Sequence, residues 1–198
     1  MAKIHELEIH KMHPTQMSVG MIVVHDKKKK LASLKKHERR DYMEAHPIPA
    51  VFGPNGHLFI TDHHHLGRAA YEAEVETGFF MVEADFSSTS MDDFWKEMDK
   101  NKWVHPLDQY GVRHNYAQIP SHLEKLVDDA YRSLAGYVRN AGGYEKTPTA
   151  FAEFIWADFF RRSIAVEEVE KDFPVAVGKG LILSRSPEAK HFPGYKSG

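Results

Sequence analysis

The stretch that decides the fold is "IPAVFGPNGHLFITDHHHLGRAAYEAE", residues 48–74. Two short apolar runs, IPAVFG and HLFIT, flank a Pro-Asn-Gly turn whose residues tolerate the positive φ angles of tight turns. This pattern predicts a β-hairpin. The second run leads into a polar turn and then into an alanine-rich segment with apolar residues at helical spacing. We therefore expect a helix after the turn, with Thr61 or Asp62 as its N-cap.

The segments on either side of this stretch combine strands with helices. IHELEIH (4–10) alternates apolar and polar residues, as a half-buried strand does, and FFMVEADF (79–86) predicts another strand. Residues 16–45 predict a helix in two pieces. SSTSMDDFWKEMDK (87–100) predicts a helix that begins with a serine N-cap and carries two aspartates in its first turn.

The C-terminal part of the chain changes character. Residues 119–143, IPSHLEKLVDDAYRSLAGYVRNAGG, predict one long amphipathic helix that ends at a glycine pair. TPTAFAEFIWADFFRRS (147–163) predicts a second, aromatic-rich helix. The sequence therefore predicts a mixed unit of strands and helices followed by a helical unit, with a boundary near residues 105–120.

Composition restricts the class of protein. Of 198 residues, 42% are hydrophobic and 27% are charged, as in ordinary globular domains. A membrane span requires about 18 consecutive apolar residues, and no such run occurs. The N-terminal MAKIHELEIHK lacks the apolar region of a secretion signal, so we expect a cytoplasmic protein. The absence of cysteine excludes disulfides, thiolate zinc sites and thiol nucleophiles.

Charge is distributed unevenly along the chain. The net charge of −2 argues against a dedicated nucleic-acid-binding domain, which is usually strongly basic. Residues 1–47, however, contain 10 Lys and Arg against 6 Asp and Glu. The excess centres on Lys27–Lys30 and on residues 35–40. This basic run is either a solvated helix face or a surface for a polyanion such as DNA, and the sequence leaves both open.

The turn Asp62-His63-His64-His65 admits three interpretations from its residues. Neighbouring side chains diverge in strands and helices, so at most two of these histidines, or Asp62 with one of them, can share a metal ion. A strand that opens into a helix instead presents backbone N–H groups and a positive helix dipole, which suit an anion such as phosphate. In the third interpretation, Asp62 merely caps the helix and the histidines are solvated.

A family resemblance narrows these interpretations. Residues 48–74, together with KMHPTQMSVGMIVVHDKKKKL (11–31) and the tail SRSPEAKHFPGY (184–195), resemble the ParB/sulfiredoxin-like superfamily and its ParB-like nuclease branch. The resemblance implies an α+β fold, with a small mixed sheet and flanking helices in residues 1–110 and a helical C-terminal subdomain, 111–198, packed on that core. It also implies that the turn binds the phosphate groups of a nucleotide.

The related free serine kinases carry Asp-Gly-His-His-Arg at this turn. By this resemblance Asp62 matches the aspartate, and His64 and His65 match the histidine pair. His63 stands in place of the glycine, and Leu66 stands in place of the arginine. The cysteine of the sulfiredoxins has no counterpart in this chain.

Further candidates for contact with phosphate lie near the turn in sequence or in the matching segments. Arg68 lies a short step along the helix from the position of the missing arginine. Thr15 and Gln16 end a strand-to-helix turn, where they either contact a ligand or act only as turn residues. Lys30 is the lysine before an apolar residue in the upstream segment, and it either reaches a phosphate or remains in solvent.

The leading hypothesis is a ParB-like nuclease or a nucleotide-dependent phosphoryl-transfer protein. It would act as a hydrolase (nuclease or NTPase) or as a kinase-like phosphotransferase on a nucleotide or phosphoester substrate. The cofactor would be ATP, ADP or CTP with Mg²⁺. Asp62 would be the metal ligand or base, His64 and His65 would stabilise phosphate charge, and His63 would bind the cofactor. The alternative is a non-enzymatic module that associates with DNA or has a regulatory role.

Overall fold

The computed structural model describes residues 3–197. The strands in this part of the chain are β1 (Lys3–Glu8), β2 (Met12–His13), β3 (Ser18–Val19), β4 (Ile48–Phe52), β5 (Leu58–Ile60), β6 (Thr77–Asp85) and β7 (Val127–Asp128). The α-helices are α1 (Met21–Ser33), α2 (Lys36–Glu44), α3 (His64–Glu72), α4 (Met91–Lys100), α5 (Ala130–Asn140), α6 (Ala152–Ser163), α7 (Val166–Lys171) and α8 (Phe173–Ser184). None of these helices is long and apolar enough to cross a bilayer.

Five strands form one mixed sheet in the order β1-β6-β4-β5-β2. β1 runs antiparallel to β6 and β4 runs antiparallel to β5, whereas β6 with β4 and β5 with β2 are parallel pairs. β3 and β7 form a separate two-stranded sheet. With its flanking helices this arrangement confirms the predicted α+β fold with a small mixed sheet.

The hairpin predicted from the Pro-Asn-Gly turn is confirmed. β4 and β5 pair antiparallel, and between them Asn55 and Gly56 have φ angles of 60° and 76°. These left-handed conformations are the ones that asparagine and glycine adopt most readily. The serine cap of α4 is confirmed as well, because the Ser90 hydroxyl accepts the N–H of Asp93.

The predicted helix over residues 16–45 begins later than expected. Gln16 forms a parallel bridge with His105, and Ser18–Val19 are extended as β3, so that α1 starts only at Met21. The backbone groups of these extended residues form hydrogen bonds with neighbouring extended segments. Residues 16–20 are therefore not helical, although their apolar spacing predicted a helix.

Residues 119–143 do not form one helix, so this prediction was wrong. Leu123–Lys125 form a turn of 3-10 helix, Val127–Asp128 form β7, and α5 begins at Ala130. The late start follows from Asp129, because its carboxylate accepts a backbone N–H of the first turn and caps α5 at this point.

The chain divides into two compact units. One contains the residues up to Val19 together with Val24–Val127, and the other contains Gly20–Val23 and the residues from Asp128 onward. Residues 111–127 thus belong by their contacts to the first unit. The assignment of two domains divided at residue 110 stays a prediction.

Each unit has its own aromatic-rich core. In the first unit, side chains from the sheet and α4 pack together: Val51, Phe59, Phe94, Trp95, Met98, Val104 and Ile119. In the second unit the core centres on Trp156, which is fully buried and stacks on Tyr144 with 4.3 Å between ring centroids. Both cores supply the apolar burial that a unit of this size needs to fold.

We predict that Gly20→Ala destabilises the second unit. An added Cβ would lie 2.8 Å from Ser133 Cα and closer still to the backbone nitrogen of Ser133, so that backbone would have to move. Overpacking of this kind costs about 1–3 kcal/mol. Gly136→Ala in α5 is the matched control, because its Cβ would meet only Val23 Cγ2, at an ordinary contact distance of 3.7 Å, and alanine favours a helix by about 0.5–1 kcal/mol. Urea unfolding would contradict the prediction if Gly20→Ala were as stable as the wild type.

We also predict that His13 makes the protein less stable in acid. Burial lowers the pKa of His13 below its ordinary value of 6.5, the nearby rings of His57 and His122 lower it further by charge repulsion, and the hydrogen bond to the Ser121 carbonyl opposes them. The unfolded chain therefore binds a proton more readily than the folded chain. As pH falls from about 6.5 toward the lowered pKa, the free energy of unfolding decreases.

Thermal unfolding between pH 8 and pH 5 tests this linkage. His13→Asn, which keeps a donor for the Ser121 carbonyl, should lose less stability in this range than the wild type. His37→Asn, at an exposed position of α2, is the control and should keep the dependence of the wild type. An unchanged profile for His13→Asn would mean that another group causes the acid sensitivity.

Candidate functional site

The candidate site lies where two neighbouring parallel strands end. β2 and β5 pair in parallel, with Met12 opposite Leu58 and His13 opposite Phe59. Because parallel strands end at the same edge of a sheet, the segment 14–16 and the turn 61–65 leave the sheet side by side. The structure thus brings two of the predicted site segments together across a long separation in sequence.

A buried hydrogen-bond cluster joins these two segments. The backbone N–H of Thr15 donates to Nε2 of His64 over 3.0 Å, and the Thr15 hydroxyl donates to the Ile60 carbonyl over 2.8 Å. Thr15 and His64 are 1% and 5% exposed. Since Nε2 accepts a backbone N–H, His64 carries its proton on Nδ1 and is neutral in this arrangement. His64 therefore fixes the turn and does not present Nε2 to solvent.

The turn itself ends in a left-handed residue. His63 has φ 60° and is the N-cap of α3, so the prediction of Thr61 or Asp62 as N-cap was wrong. The His63 side chain makes no capping hydrogen bond at this end, and the Asp62 carboxylate accepts the N–H of His63 over 2.6 Å. Asp62 and His63 are exposed and His65 is half-buried. The positive end of the helix dipole thus lies beside two solvent-accessible side chains.

Two predicted site residues make other contacts. The Gln16 amide donates to the Ser18 carbonyl over 2.7 Å and is buried. Lys30 lies exposed on α1, with its ammonium 4.3 Å from the centre of the Tyr42 ring. Gln16 is therefore adjacent to the Thr15 cluster through the backbone alone, while the Lys30 ammonium stacks on an aromatic ring of α2. The roles assigned to these two residues stay predictions.

Arg68 holds the segment that follows residue 122. Its guanidinium donates to the carbonyls of Leu123 and Leu126, over 2.7 and 3.1 Å, and to the Glu72 carboxylate over 2.7 Å. Lys28 also donates to Glu72. Burial raises the pKa of Glu72, but the hydrogen bonds from Arg68 and Lys28 outweigh this effect and lower it. To bind a phosphate, Arg68 would have to give up contacts that organise the first unit.

Glu83 reaches the turn and was missed by the sequence analysis. The Thr61 hydroxyl donates to its carboxylate over 2.9 Å, so a second exposed carboxylate lies at the start of the turn. The β4–β6 ladder pairs Ala50 with Val82 and Val51 with Ala84, which leaves Glu83 in an irregularity of the register. A bulge of this kind redirects a side chain. The alternation of residues along β6 does not predict this bulge, so the position of Glu83 could not be predicted from the sequence.

Metal-binding capacity is limited in this region. Within residues 3–197, no group of three or more His, Asp or Glu side chains is arranged to hold a metal ion. Asp62 as a metal ligand stays a prediction. Magnesium suits such a sparse donor set, because it is usually bound by one or two carboxylates together with substrate phosphates and water.

A groove of about 580 Å³ also lies in the first unit, along α4 and residues 113–117. Trp95, Lys96, Arg113 and Tyr116 are among its lining residues, and none of the predicted phosphate-binding residues is. The Tyr116 hydroxyl donates to Asp99, and the Tyr116 ring stacks on Trp95. The groove and the histidine turn are therefore separate features of this unit.

Comparison with known proteins places this geometry in a family. The crystal structure of protein Atu1540 from Agrobacterium tumefaciens matches 99% of this chain and 97% of its own, with a TM-score of 0.92 and 36% sequence identity. No curated protein matches the chain. The family model described as "Putative ParB-like nuclease" matches residues 5–162, which include the paired strands and the histidine turn. The family predicted from the sequence is thereby confirmed, and the chain belongs to the ParB-like nuclease family.

Proposed function

We propose that the Asp-His-His-His turn binds the phosphate of a nucleotide or phosphodiester, as the substrate site of a ParB-like nuclease or phosphoryl-transfer protein. The observation that carries this proposal is the junction of β2 and β5, where the Thr15–His64 hydrogen bond fixes the turn at the start of α3. A fixed turn at a helix N-terminus is preorganised for an anion and loses little entropy on binding one.

The helix dipole and the hydrogen-bond donors of the turn support the proposal that its ligand is an oxyanion. α3 begins at His64, the His63 side chain does not cap it, and the positive end of its dipole favours negative charge. His63 and His65 are accessible to solvent, completely or in part, and each imidazole can donate a hydrogen bond to a phosphate oxygen. His64 acts in this proposal as a positioning residue, since its Nε2 is used to hold Thr15.

Magnesium would enter with the nucleotide, as the complex of ATP, ADP or CTP. Asp62, with Glu83 near the start of the turn, offers the carboxylates that would contact the ion. When bound, Mg²⁺ neutralises phosphate charge and polarises the phosphorus–oxygen bond. Asp62 would hold the ion or accept a proton from the attacking group.

DNA association is a second candidate function, motivated by the basic residues of α1 and α2. Ion pairs within the chain join Lys28 to Glu72, Lys36 to Glu76 and Arg40 to Glu6. These pairs reduce the positive potential that a polyanion would meet, so the phosphate site is the stronger proposal. An affinity for duplex DNA that falls steeply with salt would favour the second function.

We predict that Asp62→Asn changes phosphate affinity in opposite directions with and without magnesium. In Mg²⁺, loss of the carboxylate should weaken binding of ATP, ADP or CTP about tenfold, which corresponds to about 1.4 kcal/mol. In EDTA, the same substitution should strengthen binding, because a like charge beside the anion is removed. Isothermal titration calorimetry measures both affinities.

Matched controls separate this site from general surface charge. His65→Ala should weaken binding in both conditions, while Asp41→Asn and His37→Ala, at exposed positions of α2, should bind like the wild type. Hydrolysis of bis(p-nitrophenyl) phosphate by the same variants tests the nuclease branch of the proposal. Equal affinities for the wild type and both turn variants would contradict the phosphate site.

We further predict that His64 is required for the stability of the junction. His64→Phe leaves the buried Thr15 N–H without its acceptor, which costs about 1–3 kcal/mol. A double-mutant cycle with Thr15→Val, which keeps the backbone N–H, should give a coupling of about 0.5 kcal/mol or more, because the Thr15 hydroxyl lies 3.3 Å from Nε2 of His64. The cycle with His37→Ala is the control and should be additive. Additive losses in the cycle would show that the Thr15 hydroxyl is not coupled to His64, and a His64→Phe variant as stable as the wild type would contradict the role of His64 in the junction.

A further inference from the structure

The exposed face of α8 carries apolar side chains that residues 3–197 leave accessible to solvent. Val175 is 54% exposed and Ile182 is 76% exposed. Ala176, Gly180 and Ser184 are buried on the opposite side of the same helix. The other large apolar residues of α8 pack partly against the core of the second unit, and this packing leaves Val175 and Ile182 exposed.

The exposed face has a two-fold pattern. Val175 and Ile182 lie at equal distances on either side of the midpoint between Gly178 and Lys179, and so do Asp172 and Arg185. All of these positions lie on one broad side of the helix, because they are separated by steps of three, four or seven residues. When two identical helices with this pattern cross antiparallel at the midpoint, each aliphatic side chain meets its counterpart and each charge meets its opposite.

We propose that α8 is a homodimerisation surface and that its occupant is α8 of a second copy of this chain, in an antiparallel two-fold arrangement. Val175 of each copy contacts Ile182 of the other, and Asp172 of each copy pairs with Arg185 of the other. A two-fold interface requires such self-complementarity of a single patch. The antiparallel arrangement also aligns the two helix dipoles favourably.

The centre of the face permits close approach of the helices. A Cβ added at Gly178 would meet no atom within 4 Å, so this position is open to an incoming helix. The distance between packed helices depends on the side chains at the crossing, and glycine allows the shortest distance. Lys179 also lies near the axis, and its ion pair with Glu168 reduces the repulsion between the two copies.

The size of the face indicates a reversible dimer. α8 has 12 residues, a length of about 18 Å at about 1.5 Å per residue. One pair of such helices buries less than the ~1,600 Å² of a standard stable interface. The dimer should therefore dissociate on dilution.

Sedimentation equilibrium over a concentration series tests the proposal with the full chain. Ile182→Asp should raise the dissociation constant about tenfold or more, because a charge would be buried at the interface without a partner. Ile4→Asp is the control, since Ile4 is an exposed isoleucine on β1, outside α8, and it should dimerise like the wild type. Circular dichroism confirms that each variant is folded.

A charge exchange and a disulfide test the register. Asp172→Arg and Arg185→Asp should each weaken the dimer, and the double variant should restore it. Asp172→Arg and the double variant both lose the Asp172 cap of α8, so this loss does not account for a difference between them. The chain has no cysteine, so an equimolar mixture of Val175→Cys and Ile182→Cys should form a disulfide-linked dimer faster than either variant alone. A wild type that remains monomeric at millimolar concentration, or a dimer that is insensitive to Ile182→Asp, would overturn the proposal.

Discussion

The hydrogen bond from the Thr15 backbone to His64 is the interaction on which the geometry of the candidate site depends. β2 is only two residues long and makes few ladder contacts with β5. Such a short parallel pair constrains its continuation weakly. The buried imidazole supplies the missing constraint, since it links segments that lie 49 residues apart in the chain. The hydrogen bond therefore fixes the position of the α3 N-terminus relative to the end of β2. The position of the exposed turn residues is fixed with it.

The three consecutive histidines of the turn differ in their burial. His64 is buried and neutral, and it determines where the turn lies. His63 is exposed and His65 is half-buried, so both are accessible to solvent. Consecutive residues at the start of a helix diverge by about 100°, so one histidine can face the core while its neighbours do not. The histidine run is thus best understood as a structural residue between two candidate contact residues.

The sequence predicted the features that depend on local chemistry. The Pro-Asn-Gly turn specified the hairpin, and Ser90 specified the start of α4. The features that were missed depend on partners distant in sequence. Nothing local distinguishes His64 from its neighbours, because its burial follows from the parallel pairing of β2 with β5. The long helix expected over residues 119–143 failed for a similar reason, since Asp129 caps α5 while Arg161 of α6 binds its carboxylate.

The conformation of His63 connects the sequence of the turn to its proposed chemistry. A φ of 60° is the conformation that glycine adopts without cost, and glycine is the residue that the resembling serine kinases carry at this position. Histidine accepts the same conformation at a cost of about 1 kcal/mol. A glycine would fulfil the backbone requirement of this position better. What histidine adds at this point is an exposed imidazole next to the positive end of α3, and that is the group an anion site would use.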